Sequence, residues 1–424
     1  MKKTFIIAIM AILAIGAQAQ EKKTENKNKP VFTVVKENPI TSIKDQNRSG
    51  TCWAYSTLSY FEAEILKKTG KTYDLCESFV ANKDYMDRAI QVVRLHGDCQ
   101  FAQGGSAYDV HYVLQNYGIC PEEAMPFPGS LYGDSLNNLN EFFSLLEPYV
   151  AAVSKSNAKK ISNQWKVGLQ GILDAYLGKC PEEFTYQGKK YTPKSFAASL
   201  GLDWNDYVSI TSFTHHPFYT AYAVEVRAQN HPVAIVDSVF DALFHPFYQP
   251  FVVEVQDNWR WAQSYNLPLN EMMEVIDNAI NNGYTIAWGA DVSEKGFGAV
   301  TRVPLNDKEK DLSHSDAARW TGTDGKADKN VVSAQGEKTI TQEMRQKAYD
   351  NWETTDDHGM VIYGIAKDST GAQYYMVKNS WGEYGPYKGM FYASKPYVAY
   401  KTMNFVVNKA ALPKEIAKKL GIKL

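Results

Sequence analysis

The stretch Lys44-Asp-Gln-Asn-Arg-Ser-Gly-Thr-Cys-Trp-Ala-Tyr-Ser56 sets a cysteine six residues after a glutamine, at the point where a helical pattern begins. Downstream of Cys52, the apolar residues Ala54, Leu58, Phe61 and Ile65 recur at steps of four, three and four, the stripe of an amphipathic helix. Lys67 and Lys68 fall in its last turn, and Gly70 stands where such a helix stops. Cys52 is therefore predicted at the N-terminal end of a buried helix, where backbone N–H groups without intrahelical acceptors and the macrodipole favour a thiolate. A thiolate is a nucleophile. The competing reading of a lone cysteine is a small buried hydrophobe, and the rest of the chain has to decide.

The 424 residues are 44% hydrophobic and 22% charged with a formal net charge of -2, the composition of a globular protein with a large core. No basic stripe interleaved with aromatics is present, so neither nucleic acid nor an anionic membrane is an expected partner. Residues 1–19 read as a secretory signal: Lys2 and Lys3, an apolar run from Phe5 to Gly16, then Ala17-Gln18-Ala19. That run is too short for a permanent membrane span, and the expected location is periplasmic or secreted. Residues 20–31 are polar, end near Pro30 and read as a flexible leader. In an exported protein Cys76, Cys99, Cys120 and Cys180 can pair in three ways or stay as buried thiols.

The folded unit is placed at 32–410, mainly helical over 40–200 and β-rich over 201–410. In the first half, Gln103-Gly-Gly-Ser106 leads into a second amphipathic segment with Val110, Leu114 and Tyr117 on one face, and Gly104-Gly105 suits a loop that another backbone must approach closely. The second half carries β-branched and aromatic runs at Tyr207–Ile210, Ala221–Val226 and Pro250–Val255. A helix follows around Met272, Val275, Ile276 and Ala279, then a strand from Tyr284 to Gly289. His215, His216, His231, His245 and His314 show no ligand spacing, and the acidic residues of the excursion 306–347 are not grouped, so neither a metal nor another cofactor is expected.

Near the end, Asp356-Asp-His-Gly-Met-Val-Ile-Tyr-Gly-Ile365 places His358 at the mouth of a strand, and Tyr374-Tyr-Met-Val-Lys-Asn-Ser-Trp-Gly382 returns beside it through the turn Asp368–Ala372. His358 and Asn379 can then meet on neighbouring strands. A histidine that takes a proton from a thiol needs its other nitrogen held, and an asparagine carbonyl does this without adding charge. Trp381 is placed to shelter that contact from water.

Taken together, Gln46 through Ser56, Gly104-Gly105, Asp357-His358-Gly359 and Lys378-Asn-Ser-Trp-Gly382 resemble the papain-like cysteine peptidases, which share the order Cys, His, Asn. His358 follows Cys52 by about 300 residues, against roughly 130–150 in the short members. That spacing is similar to the bleomycin hydrolase and aminopeptidase C branch. Two features depart from the family text: Ser49 and Ala102 stand where a disulfide commonly joins the two loops, and the tail 411–424 lacks the expected Trp-Asp-Pro-Met-Gly.

The resemblance implies an α+β papain-like fold with a helical half carrying the nucleophile and an antiparallel β-barrel-like half carrying His and Asn. It implies Cys52 as nucleophile, His358 as base, Asn379 as its orienter and Gln46 as oxyanion donor. A peptide substrate would lie along Gly104, Gly105 and the Asp357 carbonyl. The branch also implies a ring-shaped hexamer and a C-terminal tail in the cleft that makes its members aminopeptidases. If the tail lies elsewhere, an endopeptidase is the alternative, and an inactive secreted scaffold is a third reading.

Overall fold

The computed structural model describes residues 30–126, 128, 137–214, 247–305, 315, 318, 321 and 336–424. The segments read as signal and leader up to residue 29, the run Ala221–Val226, histidines 215, 216, 231, 245 and 314 and most of the excursion 306–347 lie outside them.

After β1 (Thr33–Glu37) comes α1 (Cys52–Thr69), ended by Gly70 at φ 69°. Thirteen of its eighteen residues are buried, not the narrow stripe that the apolar spacing suggests. One side packs on the helical half and the other on the sheet, so polar residues inside it need partners. Glu62 accepts from Thr41 Oγ1 at 2.7 Å and from Leu75 N at 2.9 Å, while Glu64 accepts from Asn408 Nδ2 at 3.1 Å.

The helical half continues with α2 (Glu77–Arg94), α3 (Ala107–Asn116), α4 (Asn140–Ser154) and α5 (Gln164–Leu177). A hairpin of β2 (Phe184–Tyr186) and β3 (Lys189–Tyr191) and then α6 (Pro193–Ser199) complete it. Gln187 and Gly188 both have positive φ, as a two-residue hairpin turn requires. These elements close on a core that includes Phe61, Phe79, Tyr85 and Phe142.

The second half is built on one ten-stranded sheet. Its strands are β4 (Tyr207–Thr211), β5 (Pro250–Val252), β6 (Gln263–Asn266), β7 (Ile286–Ala290), β8 (Val300–Thr301), β9 (His358–Lys367), β10 (Gln373–Lys378), β11 (Met390–Ser394) and β12 (Thr402–Asn408), with β1 added on β9. The order β5-β6-β4-β12-β7-β9-β10-β11-β8 is antiparallel except at β4–β6 and β8–β11. Its described strands form an open series. The segment read as a strand to Val255 stops at Val252, because Val253 through Trp261 turn back on themselves through Asn258, whose side chain donates to Val253 O and Ala262 O. Helices α7 (Leu269–Asn281), α8 (Gln342–Asp350), α9 (Lys395–Lys401) and α10 (Lys414–Lys419) flank the sheet.

Candidate active site

Cys52 is the first residue of α1, and no side chain caps that end: the Thr51 hydroxyl is engaged with Ser49 Oγ at 2.7 Å, and the first turn holds no acid. The donor-rich end is thereby left facing the sulfur, an arrangement that favours negative charge there. The preceding strand-like segment is stitched to the loop after β10 by Gln46 N donating to Ser380 O at 2.8 Å and Gly382 N donating to Lys44 O at 3.0 Å. Gln46 is fully buried; its amide donates to Ser49 O at 2.7 Å and accepts from Ser380 Oγ at 2.6 Å. Lys378 closes the same junction from below, donating to Thr41 Oγ1 and Ser59 Oγ, and burial pulls its ammonium down to about 8.

His358 opens β9 and pairs with Ala290 of β7, while Gly359 pairs with Gly289. Gly359 has a steric reason: a Cβ there would lie 2.5 Å from Ser56 Oγ and 3.4 Å from the carbonyl of Cys52, so its absence lets β9 close on α1. His358 Nε2 and Asn379 Oδ1 are 2.7 Å apart. Asn379 Nδ2 donates to Tyr384 Oη at 3.2 Å and Oδ1 accepts from Ser380 N at 2.8 Å, which fixes which end of the amide faces the imidazole. An acceptor at Nε2 places the ring proton there and leaves Nδ1 as the basic nitrogen. The Trp381 ring covers the pair, 4.8 Å from the imidazole centroid and tilted by 34°.

The Gln103-Gly104-Gly105 loop is held by donors from three elements. Trp53 Nε1 and Tyr85 Oη both donate to Gln103 O, at 3.0 and 2.9 Å, and Gly50 N donates to Gln103 Oε1 at 2.8 Å. That last bond joins the two loops at the place of the missing disulfide. Arg88 of α2, wholly buried, donates to the carbonyls of Gln100, Ala102 and Gly104 and lies 3.7 Å from Asp257. Nothing in the sequence singled out Arg88; an arginine at a helical position carries no spacing signal for three carbonyl acceptors.

One cavity of about 40 Å³ contains Cys52, His358, Gly105 and Asp357 in its wall, together with Asp257, Asp356 and Asn404. Gln46, Asn379, Trp381 and Gly104 are not part of that wall. Gly104 turns its carbonyl to Arg88, and a Cβ on it would overlap the Asp257 carboxylate. The side chain of Asp357 is committed to protein donors, accepting from Val292 N at 3.2 Å, Ser293 N at 3.0 Å and Thr355 Oγ1 at 3.0 Å.

The tail does not line this cavity. Ala411, Leu412, Ile416, Ala417 and Leu420 are buried with the α7 residues instead, Asn278 Nδ2 donates to Ala411 O at 2.7 Å and Lys419 pairs with Glu271 at 2.6 Å. None of the five cysteines forms a disulfide. Cys76 caps α2, accepting from Phe79 N at 3.4 Å.

The sequence matches the Peptidase C1-like family over residues 2–298 and 315–423. The chain belongs to that family. Among its relatives are aminopeptidase C of Lactobacillus helveticus, 23% identical over 94% of this chain and 88% of that protein, and aminopeptidase C of Listeria monocytogenes, 22% identical over 91% and 84%. The fold is similar to that of PepW from Lactobacillus rhamnosis, with a TM-score of 0.62 at 20% identity over 93% of this chain and 85% of that one. The papain-like α+β architecture expected from the motifs is thus the one this peptidase adopts.

Proposed function

We propose that this peptidase is a cysteine aminopeptidase, with the 2.7 Å contact between His358 and Asn379 beside the helix end of Cys52 as the observation that carries the chemistry. The names of its relatives support the exopeptidase action. Cys52 Sγ attacks the scissile carbonyl carbon and its proton passes to His358 Nδ1. Collapse of the tetrahedral intermediate breaks the C–N bond, the imidazolium returns the proton to the leaving amine, and a thioester remains. Water, deprotonated by the same imidazole, then releases the carboxylic acid and the thiol.

Asn379 keeps the imidazole in the required tautomer throughout, and the charge on the ring is stabilised by an uncharged acceptor. In this reading the oxyanion donors are the N–H of Cys52 and the second Nε2–H of Gln46, the first being engaged with Ser49 O, so Gln46→Ala should lower kcat by about 10²–10³ while leaving the alkylation of Cys52 by iodoacetamide measurable.

The test is hydrolysis of an aminoacyl reporter and of its N-acetyl form by wild type and Cys52→Ala. Hydrolysis of the free-amine form, lost in Cys52→Ala, supports the reading. Cleavage of the N-acetyl form alone makes the enzyme an endopeptidase. No cleavage, with no labelling of Cys52 by an electrophilic peptide, leaves a scaffold. The n-region, apolar run and Ala17-Gln18-Ala19 support export, checked by the N-terminal residue of the mature protein. A hexameric ring, as the resemblance implies, is checked by sedimentation.

A further inference from the structure

In a peptidase whose tail packs away from the catalytic cavity, something else has to recognise a free substrate amine, and the cavity wall offers carboxylates. The segment Val255–Asn258 forms that wall beside the Gly-Gly loop, with the Asp257 carboxylate against Gly104. Arg88 fixes it, 3.7 Å from Asp257 and donating to Gln256 O at 3.5 Å. Asp356, two residues before His358 in the chain, lines the same cavity.

Asp257 and Asp356 line both the cavity of Cys52 and a second one of about 530 Å³ that adjoins it. The carboxylates around them are differently placed. Asp357 and Asp291 are satisfied by backbone N–H groups, Asp291 accepting from Ser293 N at 2.8 Å and Thr355 N at 3.0 Å. Asp356 meets no donor or cation among the described residues. Burial, with Asp257, Asp357 and Asp291 as like-charged neighbours, pushes its carboxyl well above the usual range. Such a group, part-exposed through the cavities it lines, lacks only a counter-ion, and none of the described residues groups into a metal site.

We propose that Asp356, assisted by Asp257, binds the N-terminal α-ammonium of the peptide substrate and so takes the place of the tail as the device that restricts the enzyme to free N-termini. The inference rests on the aminopeptidase reading. An ammonium presents three N–H donors to two carboxylates that otherwise repel one another, and the Asp257 carboxylate lies against Gly104. A substrate without the amine leaves the Asp356 carboxylate in the cavity without a counter-ion, a desolvation cost that discriminates against it.

The experiment compares the full-length enzyme, Asp356→Asn and Asp257→Asn on a panel of aminoacyl reporters, each with its desamino counterpart bearing hydrogen in place of the amine. The readout is the ratio of kcat/KM for the two forms, in which any inactive fraction cancels. Wild type should prefer the amine, and Asp356→Asn should lower the ratio by about 10–100-fold, with a smaller fall in Asp257→Asn. An unchanged ratio in both variants overturns the proposal. So does a loss confined to lysyl and arginyl reporters, which would give the carboxylates to a basic side chain. A wild type that cleaves only N-acetyl reporters, or none, fails the aminopeptidase reading itself and is told apart without any variant.

Discussion

At Gly359 a single hydrogen separates a working approach of strand to helix from a clash. A methyl group there would meet Ser56 Oγ at 2.5 Å, but the next atoms, Ser56 Cβ and Cys52 O, are at an ordinary 3.4 Å. Gly359→Ala should therefore displace His358 and lower kcat/KM by at least about tenfold, and Gly359→Ala combined with Ser56→Ala should recover most of it, because the offending atom is gone. Steady-state kinetics of the two single variants and the double one check this. Glu64 offers a pH test. Burial raises its carboxyl to about 7, so the folded state carries no penalty below the unfolded value near 4.5, an increasing one between 4.5 and 7, and a constant one above. Glu64→Gln keeps an acceptor for Asn408 and should raise Tm more at pH 8 than at pH 5.

Among elements, the insertion between β5 and β6 shows how a site wall is held. Arg260 lies between the rings of Tyr112 and Trp259 and reaches Asp109 at 2.8 Å, Asp84 at 2.9 Å and Asp87 at 3.0 Å. Burial raises the carboxyls of Asp84 and Asp109, and Arg260 opposes that rise. Arg260→Ala removes the opposition, so the two acids ionise at a cost that grows as pH rises above the usual carboxylate range. The variant's loss of stability relative to wild type should be larger at pH 8 than at pH 5 in urea titrations; an equal loss at both would mean that the ring stacking, not the charge, secures the insertion. The sequence showed α3 and a strand opening at Pro250, but neither β6 nor the clasp. Its four members lie on α2, α3 and the insertion, up to 176 residues apart, and no local pattern links them.

At the level of the molecule, the tail is a stabilising element and not a cleft plug. Ile416 is buried against the α7 cluster, and Ile416→Ala should cost about 2–5 kcal/mol in equilibrium unfolding. The ratio of free-amine to desamino hydrolysis should not move. A change in that ratio without a change in stability would return the tail to the cleft. The expectation of a tail-filled cleft followed from resemblance alone, and the apolar spacing of Leu412, Ile416 and Leu420 was equally consistent with packing on a helix.

What the sequence determined by itself was the chemistry and the order of the parts. Cys52 at a helix start, His358 at a strand mouth and Asn379 at the end of the returning strand are local consequences of apolar periodicity and turn residues, and a hairpin brings its two strands together whatever the remainder does. Tertiary structure decided what short-range patterns do not encode: that α1 is buried on nearly all sides, that Arg88 carries the Gly-Gly loop, that the tail packs on α7, and that Asp257 and Asp356 face the cavity of Cys52 from segments about 100 residues apart. The specificity of the enzyme belongs to that second group, because a wall made by distant segments exists only when the chain is folded.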